Sequence, residues 1–152
     1  MKLAEALIRR ADCQKRFEQV KSRLVNNAKV QEGDVPAESP AELLTELGRV
    51  ANELFELIKR INKTNSATVF NDRDTLSDAL AERDLLALRR SAYAELAQAG
   101  SITQGRYTRS EVKYVATINV AEIQKSADGL AKNYRELDAR IQELNWQTEL
   151  LE

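Results

Sequence analysis

From Val120 to Leu151 the apolar residues fall at spacings of three and four for turn after turn. Ile123, Ala127, Leu130, Tyr134, Leu137, Ile141 and Leu144 mark the stripe, Thr148 is its one weak step, and Leu151 closes it. The mean spacing of about 3.5 is the period at which one helix keeps a seam against another over a long distance. At about 1.5 Å per residue, a helix over 120–151 is roughly 45 Å long. A compact globule of this chain length has a radius of gyration of only about 15 Å. The stripe therefore predicts an elongated molecule built from long helices.

The rest of the composition agrees. The chain has 152 residues, 43% of them apolar and 31% charged, with only two prolines and five glycines. That length supports one helical domain over 1–152, and abundant Ala, Leu, Glu, Lys and Arg favours helix over sheet. Cys13 is the lone cysteine, so no intramolecular disulfide forms and nothing points to an oxidising compartment. No apolar run is long enough for a membrane span, and Glu5 interrupts what would be the apolar part of a signal peptide. The expected location is cytoplasmic.

Charge is unevenly placed. Residues 1–31 carry eight basic and three acidic side chains, while residues 32–58 carry one basic and seven acidic. Neighbouring segments of opposite sign predict an antiparallel hairpin whose faces attract. Leu3, Ala6, Arg10, Cys13, Phe17, Val20 and Leu24 give the first segment a helical stripe over 3–30, with Arg10 as its only charge. Gly33 and Pro36 mark a linker. Ser39, Pro40 and Glu42 then read as a capping box for a second helix over 40–61. Its stripe is Leu47, Val50, Leu54, Leu57 and Ile61, widened by Leu44, Ala51, Phe55 and Ile58.

Residues 62–75 break the helical period, and Thr68–Phe70 suit a short strand, about 67–70, followed by a turn at Asn71-Asp72. A third helix over 76–99 has two apolar sides. Ala81, Leu85, Leu88, Ala92, Leu96 and Ala99 form one stripe, and Leu76, Leu80, Ala87 and Ala94, interrupted by Arg83 and Arg90, form the other. Alternation over 112–118 predicts a second strand, pairing with 67–70 as a small antiparallel ribbon. Asn119 and Glu122 then cap the last helix, about 120–151. The expected fold class is mainly α: an elongated four-helix bundle with a two-stranded ribbon.

The chain contains no histidine, which removes the usual base near neutral pH and every Ser-His-Asp or Cys-His arrangement. One cysteine cannot build a thiolate zinc site, and no glycine-rich phosphate loop is present. Carboxylate chemistry remains. Glu53 and Glu56, with Glu42 and Glu46 upstream, have the one-turn spacing by which all-α nucleotide hydrolases hold magnesium, but Asp78, Glu82 and Asp84 do not reproduce the second acidic pair. The alternative is a solvated acidic face opposite helix one. Lys2, Arg9, Arg16 and Arg23 recur every seven residues, a row that tracks phosphates in some proteins, yet no aromatics lie beside it for stacking. Pairing with the acidic second helix explains it without nucleic acid.

Two further places invite binding. Asn62, Lys63 and Asn65, with Arg106, Arg109 and Ser110, would converge at one end of the bundle if the strands paired, giving a polar cluster suited to an anion, a subunit contact or strand-end capping. Trp146 lies about 200° around the helix from Leu144, with Leu150 one turn beyond. That pair reads as an interface anchor or as a second layer of core.

The segments KLAEALIRRAD, NNAKVQEGDVPAESPAELL, RINKTNSAT, RYTRSEVK and DARIQELNW together resemble the septicolysin-like family of small bacterial proteins. Arg73 stands where that pattern has a turn glycine, and Cys13 where a larger aliphatic is usual. The resemblance implies a mostly helical fold with a small β element and closed homo-oligomers such as hexamers. It implies no catalytic residue, metal or cofactor. The expected role is thus a non-enzymatic, self-assembling structural or interaction protein, with a pore-forming cytolysin and a carboxylate-metal nucleotide hydrolase as the alternatives.

Overall fold

The computed structural model describes residues 1–101 and 112–152. Among them are four α-helices: α1 (Leu3–Asn26), α2 (Pro40–Ala67), α3 (Leu76–Gly100) and α4 (Val120–Gln147). The chain divides into two compact units, one of Met1–Leu76 with Glu143–Glu152 and one of Ser77–Gln142.

The first unit is organised by two seams that meet. On α1, Leu3, Ala6, Cys13 and Val20 are buried, with Arg10, Phe17 and Leu24 half-buried between them. On α2, Leu43, Val50, Leu57, Ile61 and Thr64 are buried, with Leu47 and Leu54 half-buried. Both rows step by three and four, so each helix keeps one face on the other along an antiparallel hairpin. Ser39 starts α2 as expected, its hydroxyl accepting the Glu42 amide at 3.4 Å, and Pro40 takes the first helical position.

Helix limits differ from the sequence reading where polar side chains intervene. α1 stops at Asn26 rather than at 30. Asn27 donates its side-chain amide to the Arg23 carbonyl (2.8 Å) and accepts the Glu38 amide (3.0 Å), tying the linker back onto the helix end. α2 continues to Ala67, because Thr64 takes the next seam position after Ile61 and is fully buried. α4 ends at Gln147 rather than 151. Beyond it the Leu3 amide donates to Thr148 O and the Leu150 amide to Met1 O, each at 2.9 Å, and Lys2 bridges Glu149 in antiparallel fashion.

The expected ribbon between 67–70 and 112–118 is not formed. Val69 pairs instead with Thr75, the Phe70 amide donates to Asp74 O (2.9 Å), and the Leu76 amide donates to Thr68 O (2.8 Å). Asn71 closes this loop by accepting the amides of Arg73 (2.9 Å) and Asp74 (2.8 Å). The local turn thus occupies the backbone that the ribbon needed. Residues 112–118 form no strand, and Val112, Tyr114 and Val115 are exposed.

In the second unit, the α4 stripe lies inward as its spacing requires. Ala127, Leu130, Leu137 and Ile141 are buried, with Ile123 and Tyr134 half-buried. Asn119 caps the helix, accepting the Glu122 amide at 3.2 Å. A Cβ on Gly100 would lie 2.8 Å from Ile118 Cδ1, so glycine lets the end of α3 approach the lead-in to α4. On α3 the two apolar sides are resolved in the less obvious way. Ala79 and Ala97 are buried, and Leu80, Arg83, Leu86, Ala87 and Tyr93 are half-buried, whereas Ala81, Leu85, Leu88, Ala92, Leu96 and Ala99 are all exposed.

Candidate functional site

The row of cations on α1 finds its partners along the first unit. Arg9 places Nε 3.0 Å and Nη2 2.7 Å from Glu53 Oε1. Arg16 reaches Glu46 at 3.5 Å, and Arg23 holds Glu38 in the linker and also lies 3.9 Å from Glu46. Lys2 meets Glu149 at 2.6 Å, with the Met1 amino group on the other oxygen at 3.3 Å. From Arg9 to Arg23 the seven-residue spacing on α1 thus meets an acidic succession, Glu53, Glu46 and Glu38, running in the opposite direction. The Arg9 hydrogen bond holds the Glu53 carboxyl below the usual carboxylate range, Arg23 does the same for Glu38, and Lys2 for Glu149. Burial pushes the Cys13 thiol up, with the Glu53 charge adding to it, so the thiol is a small core side chain rather than a nucleophile.

Glu46, Glu53 and Glu56, acidic side chains of α2 that were candidates for a metal, are each met by a cation. Glu53 and Glu46 are engaged by arginines, and Glu56 lies 3.7 Å from Lys59. Among the described residues no three acidic or cysteine side chains are grouped so as to hold a metal ion.

Of the predicted polar cluster, Asn62 and Lys63 are exposed on the last turns of α2 and Asn65 is half-buried. Arg106, Arg109 and Ser110 lie outside the described residues. Lys63 lines an open groove of about 500 Å³ with Glu56, Lys59, Arg60 and Glu152. Here Arg60 Nε donates to Leu151 O (3.0 Å) and Lys63 Nζ to Glu152 O (2.7 Å). Thr64 completes the arrangement, its hydroxyl donating to Arg60 O (2.8 Å) and accepting the Leu151 amide (3.0 Å). Two of the three cations of this groove, Arg60 and Lys63, thus hold backbone oxygens of residues 151 and 152, and Lys59 lies beside Glu56. Arg60 and Thr64 were not singled out from the sequence, although Thr64 continues the seam of α2.

The predicted Trp–Leu pair is split by the structure. Trp146 is 54% exposed, but Leu150 is only 7% exposed, because its amide is tied to Met1 O and its side chain turns into the unit. Of the three arginines on apolar stripes, Arg83 reaches Asp138 on α4 at 2.9 Å and Asp84 at 3.3 Å. Burial opposes its charge, but these hydrogen bonds outweigh the cost and hold its pKa above the ordinary value. Arg10 is half-buried in the α1 seam, with Nε lacking a hydrogen-bond partner, and Arg90 is exposed.

A regular apolar row is exposed on the outer side of α3. Leu85 is 57%, Leu88 68% and Leu96 43% exposed, flanked in register by Ala81, Ala92 and Ala99. Its periodicity was legible; its outward direction was not, since a second apolar side competes with it. No helix among the described residues is long and apolar enough to cross a membrane.

A family model described as a family of unknown function (DUF6847) matches residues 10–150. Among solved structures, the chain is similar to a functionally unknown conserved protein from Corynebacterium diphtheriae, with 52% identity, a TM-score of 0.93 and 99% of each chain covered. No curated protein matches. Neither match carries a septicolysin or a cytolysin, so the expected septicolysin-like relation is without support from them.

Proposed function

We propose a non-enzymatic role for this chain, which belongs to the family of unknown function DUF6847: it is a helical interaction protein that works by assembling with copies of itself. The observation that carries this reading is the exposed apolar stripe of α3, six residues at helical spacing from Ala81 to Ala99. Soluble monomers seldom present so regular an apolar row to water, and such rows mark interaction surfaces. Covering it contributes roughly 25 cal/mol per Å² of apolar area removed from water. The interface anchor expected from the sequence was Trp146 with Leu150; with Leu150 buried, α3 is the stronger candidate and exposed Trp146 a secondary one.

The non-enzymatic part rests on the absence of histidine and on the engagement of Glu46 and Glu53 by arginines. Light scattering tests the reading. The wild-type chain is expected to give a mass of at least two copies, reduced towards one copy by Leu88→Glu. A single-copy mass for the wild type at high micromolar concentration would refute it.

A further inference from the structure

We infer that the partner of the α3 stripe is the same stripe of a second copy, running antiparallel, with Leu85 of each copy against Leu88 of the other. This rests on the self-assembly reading above and specifies its contact. The row Ala81, Leu85, Leu88, Ala92 steps by four, three and four, the spacing that keeps two helices in register. In an antiparallel pair centred between Leu85 and Leu88, the two leucine layers lie in the middle and an Ala81–Ala92 layer lies on either side. Small residues there let the backbones approach while the leucines interlock.

Charge selects the direction. Glu82 and Arg89 are exposed, seven residues apart, and so lie on one edge of the stripe. Antiparallel pairing at this register sets Glu82 of each copy beside Arg89 of the other, giving two equivalent ion pairs across the two-fold axis. Neither residue has an ion-pair partner among the described residues. A parallel pair would instead set Asp84 beside Arg89, but Asp84 already receives Arg83 at 3.3 Å. Antiparallel helix dipoles also attract, whereas parallel ones repel.

The contact is tested by charge reversal and by crosslinking. Glu82→Arg sets like charges together at both ends of the contact and is expected to weaken self-association about tenfold. Glu82→Arg combined with Arg89→Glu should restore it to within about threefold of wild type, because the pair is rebuilt with its signs exchanged. In a Cys13→Ala background, Glu82→Cys and Arg89→Cys chains should crosslink on oxidation when mixed and not when oxidised separately. Thermal melts of each dilute variant confirm that the fold is retained, as all these positions other than Cys13 are exposed. Loss of assembly with Asp84→Arg but not Glu82→Arg would establish the parallel arrangement and overturn this one while leaving self-assembly intact. Assembly unchanged by Leu88→Glu would remove α3 as the contact, and a wild-type chain that never self-associates would remove both readings.

Discussion

Thr64 sits where the α2 seam calls for an aliphatic side chain, and it is fully buried. Its hydroxyl is used twice, towards Arg60 O and from the Leu151 amide, so the last residues of the chain are fastened through one polar atom. Thr64→Val keeps the shape and removes the acceptor. Chemical denaturation is expected to show a loss of about 1–3 kcal/mol, the cost of leaving a buried donor unsatisfied, whereas Thr64→Ser, which keeps the hydroxyl, should lose about 1 kcal/mol for the missing methyl group. Equal losses for the two would deny the hydrogen bond its role. Arg83 is the matching case in the second unit, a cation on an inward face made tolerable by Asp138. From sequence such residues read as interruptions; only their partners, 87 and 55 residues away, reveal them as fastenings.

At the scale of the element, α1, α2 and α4 were legible because each has one dominant apolar stripe, although Leu44 and Phe55, which widen that of α2 in the sequence, are exposed. Ile123 to Leu144 on α4, Leu3 to Leu24 on α1 and Leu47 to Ile61 on α2 all lie on buried or half-buried positions. α3 was legible as a helix but not in its orientation, since its inward side includes Arg83 and its outward side is the greasier one. A paired comparison tests that orientation. Leu137→Ala on the buried side of α4 is expected to cost about 2–5 kcal/mol. Leu88→Ala, measured at a dilution that keeps the chain monomeric, should change stability by less than about 0.5 kcal/mol. Similar costs would mean that Leu88 is a core residue. The ribbon failed for a local reason: Val69 closes on Thr75 over a five-residue turn, a far cheaper closure than pairing with a segment some forty residues on.

At the scale of the molecule, the opposed charges of residues 1–31 and 32–58 become the cross-helix pairs of the first unit, which is the part of the candidate site read most directly from sequence. Of these, the Glu38 and Glu53 carboxyls, held by Arg23 and Arg9, titrate below the ordinary value of 4.5 in the folded chain, as does Glu149 beside Lys2. The unfolded chain therefore binds protons first, so these pairs stabilise the fold above about pH 4.5 and lose that contribution as pH falls through the depressed folded values. The melting temperature should accordingly drop below pH 4.5, and Arg9→Ala should flatten the dependence; a slope untouched by that change would place the acid sensitivity elsewhere. What the sequence could not reveal was the outward face of α3, because exposure is a property of the assembled helices and not of one stripe. Sedimentation equilibrium of the wild-type chain tests the central claim most directly. Self-association through α3 predicts a mass at least twice the 17.2 kDa of one chain, falling to that value with Leu85→Glu and Leu88→Glu together; a wild-type mass of 17.2 kDa at every concentration would contradict it.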